Sequence, residues 1–396
     1  MLRPFVMTYV TWFKLLRDSW HSAVVSVAAQ SLNVAAVALA GRALGASAYG
    51  TVLAIAAYYG WFYLLAGFPT YALLPRFLAD RRLSHEDKAG ACASAFCITA
   101  SLTGLGVLFA LVLLPLFLRR FGIEELPGAS ALYAVIFALA QLRGTMDYTC
   151  QAAGWLPQWS ASNLVATVLP VALLLAYVAG LGSMTPFGYV LLLVIAAVVS
   201  FGFTLFLFMR ALGGWRALSP DVTMIGPILA AGRGPWIAVA SNVLAEYGRQ
   251  SFIAAYLVSA DLGQYGVVCA LSSWVTGIGL AVRVPAMSDW SRIAAARHLA
   301  ILRKDLRRRQ AATAVVLATV AVLVLFSAEP ILRLIYGPDY VPAAAALRLF
   351  TVEWVLCGLG GWYWIMIYAI GHPWRIAVPN LAYSLPTFVL TCLLIR

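Results

Sequence analysis

The sequence predicts an all-α polytopic membrane protein made of two pseudo-symmetric, parallel six-helix lobes around a central cavity. Three observations carry that prediction. Hydrophobic residues make up 63% of the chain and charged residues only 11%, whereas a soluble globular protein carries about 25% charged residues. The apolar runs are long and unbroken, and about 20 apolar residues cross the hydrocarbon as a helix. They do not alternate in the ten-residue pattern of barrel strands. The chain also repeats itself. Shifted by 216 positions, Tyr49-Gly50, Val52, Pro69 and Arg76 fall on Tyr265-Gly266, Val268, Pro285 and Arg292, and 8 of 31 positions from Tyr49 to Ala79 are identical without a gap. In a membrane protein, two similar halves point to a carrier with its site between them.

The elements follow in order. Residues 1–20 interleave Arg3, Lys14, Arg17 and Asp18 with aromatic residues, the pattern of an interfacial amphipathic segment. Eleven spans are predicted, near 21–41, 50–74, 90–117, 130–152, 158–180, 187–209, 235–258, 265–287, 311–329, 344–369 and 375–395. The N-lobe covers 21–222 with six spans and the C-lobe 223–396 with five. The missing twelfth span was lost, lies beyond the given sequence, or escapes recognition. Lys and Arg favour cytoplasmic loops. With the N-terminus inside, 18 of these residues fall on the inner side, 5 on the outer side and four in or near spans, which sets the expected orientation.

The net charge of +12 would suggest nucleic acid in a soluble chain. Here the basic residues sit between apolar runs and read as topology, so no nucleic-acid partner is expected. The basic connection Asp289–Gln310 reads as a helix resting on anionic headgroups. The six cysteines lie in apolar runs without metal or disulfide spacing and read as small buried hydrophobes. No Walker loop, no Ser-His-Asp set and no His/Asp/Glu metal spacing is present, and no long outer loop could carry a catalytic domain. An enzyme is therefore not expected, nor a bound nucleotide or metal.

An ionised side chain within a span is costly, so it lines a cavity or pairs. The seventh span places Asn242, Glu246 and Arg249 at i, i+4 and i+7, with Gln250 beside them. They form one polar stripe, either a site or a self-contained Glu246–Arg249 pair one turn apart. Its counterpart on the first span is Ser26, Gln30 and Asn33. Arg283 lies near the inner end of the eighth span. Arg42 and Arg76 end spans, where arginine commonly snorkels to headgroups. Arg348 and Glu353 share the tenth span, and Arg143 and Asp147 form a local pair. The aromatic residues of the second span (Tyr58, Tyr59, Trp61, Phe62, Tyr63) and of the tenth (Trp354, Trp362, Tyr363, Trp364) read as interface anchors or as platforms for sugar rings.

Gly41-Arg42-Ala43-Leu44-Gly45, Tyr49-Gly50 and Leu74-Pro75-Arg76-Phe77-Leu78-Ala79 resemble the polysaccharide (O-antigen repeat-unit) flippase family of the multidrug/oligosaccharidyl-lipid/polysaccharide exporter superfamily. Asp261 to Gly266, Glu329 to Gly337, Ala346 to Leu349 and Gly371-His372-Pro373 extend the resemblance over most of the chain. It implies two lobes about a V-shaped cavity in the bacterial inner membrane. The implied activity moves undecaprenyl-diphosphate-linked oligosaccharide to the outer leaflet, with polysaccharide polymerase or assembly proteins as candidate partners. Carried onto this chain, Arg249 and Arg283, then Arg42 and Arg76, are candidates for the diphosphate, with Asn242, Gln250, Gln30 and Asn33 for sugars. Glu246 is the candidate for proton or sodium-ion coupling. Rival expectations are a cation-coupled multidrug antiporter of the same superfamily, a lipid II flippase, and a scaffold without transport. The surplus of arginine over mid-span carboxylates speaks against the antiporter.

Overall fold

A computed structural model describes residues 3–69, 74, 84–121, 127–153, 155–214, 219–295, 299–370, 375 and 377–394. The described chain is almost wholly helical, with short linkers between the helices. In order, the helices are α1 (Arg3–Trp61), the single turn α2 (Tyr63–Ala66), α3 (His85–Phe121), α4 (Pro127–Ala153), α5 (Leu156–Leu181) and α6 (Pro186–Leu212). A second set follows, with α7 (Val222–Tyr256), α8 (Ser259–Ala295), α9 (Leu299–Ile335), a 3-10 turn (Pro338–Ala343), α10 (Ala344–Ile370) and α11 (Ala377–Leu394). Among the described residues, eight helices are long and apolar enough to cross a membrane. Helix is what lipid demands, because each backbone N–H and C=O must be paired within its own segment.

The first predicted span and the first half of the second are the two arms of α1, which ends at Trp61, short of the predicted end at 74, and is followed by the turn α2. The helix continues from Arg3 through the predicted first span without a break, then bends at Gly45, whose φ of 77° and ψ of 165° are not helical. That conformation is open to glycine because it has no Cβ. Before the bend, the first arm lies against α8, with Trp274 Nε1 donating to Ser31 Oγ at 2.9 Å. After it, the second arm lies against α7, where Trp61 Nε1 donates to Ser251 Oγ at 2.8 Å and the Tyr247 ring covers Gly60. Shifted by 216, Tyr247 corresponds to Ser31 and Trp274 to Tyr58. The two inter-lobe helix pairs are thus related by the repeat.

Element lengths repeat as well. Helices α3 and α9 have 37 residues each, with Pro115 and Pro330 near equivalent points. Helices α4 and α10 have 27 residues each. Within the first lobe α4 packs on α6, α1 on α5, and α3 on α4. In the second, α8 packs on α10, α7 on α11, and α9 on α10.

Where the lobes meet near the bend, backbone touches backbone. A Cβ on Gly50 would lie 1.7 Å from the Ser259 carbonyl oxygen, and one on Gly263 would lie 2.0 Å from that of Ala46. Membrane helices associate by close packing of small residues because lipid supplies no hydrophobic drive between them. Around this crossing lies one apolar core drawn from both lobes: Ala38, Tyr49, Tyr189 and Val190 with Val267, Leu332, Tyr336 and Tyr340. Tyr340 OH donates to the Gly41 carbonyl at 3.1 Å, and Arg42 donates to the Leu334 carbonyl. At the opposite end, two of the cores belong to single lobes: Cys92, Met146, Cys150, Trp159 and Phe208 in the first, and Trp290, Leu302, Leu306 and Trp362 in the second. A small seam of Ile98, Ile228 and Phe68 also joins α3 to α7 there.

Several aromatic residues expected at the interface lie inside instead. Tyr58 and Tyr59 belong to a core with Phe137 and Ile253, and Trp362 is fully buried, donating to Thr313 Oγ1 at 3.1 Å. Their large apolar surface finds more cover between helices than at headgroups. The start of α9 buries Leu302 and Leu306 and exposes Arg303, Lys304 and Arg307. Asp305 anchors that turn by accepting from Trp290 Nε1 and Arg309 Nε, both at 2.8 Å.

Gly50→Ala should lower stability by about 1–3 kcal/mol, the usual effect of overpacking. Gly144→Ala, with nothing within 4 Å of its would-be Cβ, should be neutral or stabilising by up to about 1 kcal/mol from helix propensity. Thermal unfolding of both variants in detergent checks the contrast. Equal effects would contradict the close crossing.

Candidate functional site

The polar stripe on α7 lies where the two lobes adjoin. Tyr247 and Ser251 face the second arm of α1. Asn242 and Glu246 are exposed on the same helix, and Gln250 is half-buried. Glu246 lies within electrostatic reach of Tyr63 in the first lobe and of Arg249, Tyr265 and Cys269 in the second. It makes no hydrogen bond to another described residue.

Arg249 is buried, and its pairing differs from the sequence expectation. Its hydrogen-bonded carboxylate is Glu353 on α10, whereas Glu246, one turn back, feels its charge without a hydrogen bond to it. Arg249 Nη1 donates to both Glu353 carboxylate oxygens at 3.4 Å. Nε donates to the Ala245 carbonyl of its own helix at 2.5 Å, and the guanidinium carbon stands 5.4 Å from the centre of the Phe350 ring. A carboxylate, a carbonyl and an aromatic face thus all act on one cation. The side chains of Arg249 and Glu353 expose only 11% and 22%. The exposed carboxylate of this stripe is consequently Glu246, while Arg249 is ion-paired with Glu353 and also acts electrostatically on Glu246.

The other sequence-derived candidates are dispersed. Gln30 is half-buried and Asn33 exposed on the first arm of α1, and Ser26 Oγ is buried without a hydrogen-bond partner among the described residues. No hydrogen bond joins this stripe to that of α7 among the described residues. Arg42 is at the bend, binding the Leu334 carbonyl, far along the helix from the stripe. Arg76 lies outside the described residues, and of Arg283 only the helical backbone is described. Arg348, on the same predicted span as Glu353, donates to Glu329 Oε1 at 3.0 Å and to the Leu325 carbonyl at 3.2 Å.

A second buried polar network lies wholly in the first lobe. Asp147 accepts from Arg143 Nε at 3.1 Å and from Ser162 Oγ at 2.7 Å. Ser162 Oγ is 2.6 Å from Thr204 Oγ1, which donates to the Ser200 carbonyl at 2.8 Å. The local Arg143–Asp147 pair was expected. The hydroxyls that complete it, from α5 and α6, are not recognisable in a sequence where Ser and Thr are scattered through every span. Among the described residues no group of three His, Cys, Asp or Glu side chains is placed to hold a metal ion.

These features define a polytopic helical membrane protein with an ion-paired, carboxylate-bearing helix at the seam of two lobes. No protein-family model matches the chain, and no curated protein sequence matches it. Solved structures do. The chain is similar to a multidrug resistance MATE family transporter of the MOP superfamily in its inward-facing conformation, with a TM-score of 0.65 at 15% identity over 94% of this chain and 98% of that one. It is similar to the MATE multidrug transporter DinF-BH, with a TM-score of 0.73 at 16% identity over 96% and 94%. A point mutant of the Vibrio cholerae MATE transporter VcmN matches with a TM-score of 0.64 at 12% identity over 97% and 92%. The fold is therefore the two-lobe helical fold of the MATE transporters.

Arg249→Ala should destabilise the protein by about 3–5 kcal/mol, because it leaves a carboxylate of a largely buried pair uncompensated. Combined with Glu353→Gln the losses should fall short of additivity by about 0.5–3 kcal/mol. A double-mutant cycle of chemical unfolding in detergent measures this, and additive losses would rule out the pairing.

Proposed function

We propose that the chain is an alternating-access membrane carrier that works as a cation-coupled exporter of organic cations. One observation carries this reading. At the seam of the lobes the exposed charge of the α7 stripe is Glu246, while Arg249 is held by Glu353. A carboxylate in a low-dielectric cleft attracts a cation more strongly than it would in water. It can hold a proton, a sodium ion or a cationic substrate, and binding one displaces another. This competition is sufficient to couple the uphill movement of one to the downhill movement of the other. The MATE multidrug transporters that share the fold support the same reading.

A second reading, flipping of undecaprenyl-diphosphate-linked oligosaccharide, rests on the loop motifs around Gly41–Gly45, Tyr49-Gly50 and Glu329–Gly337 and on the +12 charge. It would set the chain in the bacterial inner membrane beside polysaccharide assembly proteins. The pairing of Arg249 takes one cation away from a diphosphate site, which is why this reading comes second.

Proteoliposomes carrying an imposed proton or sodium gradient distinguish the two. Gradient-driven uptake of a fluorescent organic cation is expected. It should fall about tenfold in Glu246→Gln, the effect of losing roughly 1.4 kcal/mol of charge attraction. Expression and unfolding temperature should be unchanged. No cation uptake, together with movement of a polyprenyl-diphosphate oligosaccharide between leaflets, would replace the first reading with the second.

A further inference from the structure

We propose a binding site for a single acyl chain of a bilayer phospholipid in the cavity between α1, α8, α9 and α10. The cavity holds about 270 Å³ and is walled by Val34 of α1, Leu271 and Val275 of α8, Val324 and Ile335 of α9, and Leu347 of α10. Two hydroxyls also border it, and both are satisfied within the protein. Ser31 Oγ donates to the Val27 carbonyl at 2.9 Å and accepts from Trp274 Nε1, and Thr351 Oγ1 donates to the Leu347 carbonyl at 2.7 Å. No wall group asks for a polar ligand, so the occupant is apolar along its whole inserted length.

Size and setting narrow the occupant further. An apolar cavity of roughly 150 Å³ already holds benzene, and this one is nearly twice as large. Its helices continue into lipid-facing surface: Leu323 and Phe326 of α9 are 63% and 86% exposed, and Leu349 of α10 is 74% exposed. In the bilayer the abundant partner for such a cavity is a hydrocarbon chain, and filling it recovers packing that an empty cavity forfeits. Val34 comes from the first lobe and the other walls from the second. The site therefore exists only while α1 lies against α8, and a chain seated there holds that arrangement. The inference is independent of what the carrier moves.

The test is photolabelling in vesicles with two probes, a phosphatidylglycerol and a polyprenyl diphosphate, each with a diazirine in its chain. Peptides containing Val34, Val275 and Leu347 should be labelled above the peptide containing Val199, which is an exposed surface position. Labelling should fall about tenfold in Val34→Phe and in Val324→Phe, the worth of roughly two buried methylenes. It should not change in Val199→Phe. Labelling by phosphatidylglycerol alone identifies a bilayer lipid as the source. Labelling by the polyprenyl probe that displaces phosphatidylglycerol would overturn the acyl-chain assignment. Cavity peptides labelled no more than the Val199 peptide, or labelling unchanged in both filled variants, would overturn the site.

Discussion

At Gly50 and Gly263 the two lobes approach backbone to backbone, and much of the remaining arrangement follows from that approach. Only a residue without a Cβ lets α1 come so near α8. Once the crossing is set, the bend at Gly45 sends one arm of α1 along α8 and the other along α7. The same crossing gathers Tyr49, Tyr189, Tyr336 and Tyr340 into a core that belongs to both lobes. In lipid, packing of this kind is the main source of cohesion between helices.

The seam is also where chemistry is concentrated. Helix α7 faces the first lobe through Tyr247 and Ser251, reaches α10 through Arg249 and Glu353, and packs on α11, where Phe388 covers Gly248 and Asn380 donates to the Ala238 carbonyl at 3.2 Å. Under the coupling proposed above, a change in the charge of Glu246 occurs on the helix that borders both lobes. A cation bound there favours whichever arrangement holds it better, and it can shift the equilibrium only by that difference. The Asp147 network, confined to α4, α5 and α6, serves to fasten the first lobe internally.

The fold was legible in the sequence to the extent that lipid dictates it. Span lengths, the helical class and the 216-residue repeat follow from apolar runs and from Tyr-Gly, Pro and Arg at fixed separations. The location of the stripe on α7 was legible too, because Asn242, Glu246 and Arg249 interrupt an apolar span. Its pairing was not. Proximity along the chain favours Glu246 as the partner of Arg249, whereas the partner is 104 positions away and is chosen by how α7 packs near α10. The one available signal was Glu353 itself, a carboxylate in an apolar span. Likewise Tyr58, Tyr59 and Trp362 carry polar tips that suit an interface, and only the packing of neighbouring helices shows that they are core.

In the proposed alternating access the lobes move as units, closed at the Gly45 end in the arrangement described and opening there. Phe187 of the first lobe and Leu334 of the second are exposed near that end, beside the shared core. Spin labels at these two positions, measured by electron double resonance in nanodiscs, should give a short distance without substrate and a second, longer population when an organic cation or a lowered pH is applied. A single distance that ignores both would contradict the account.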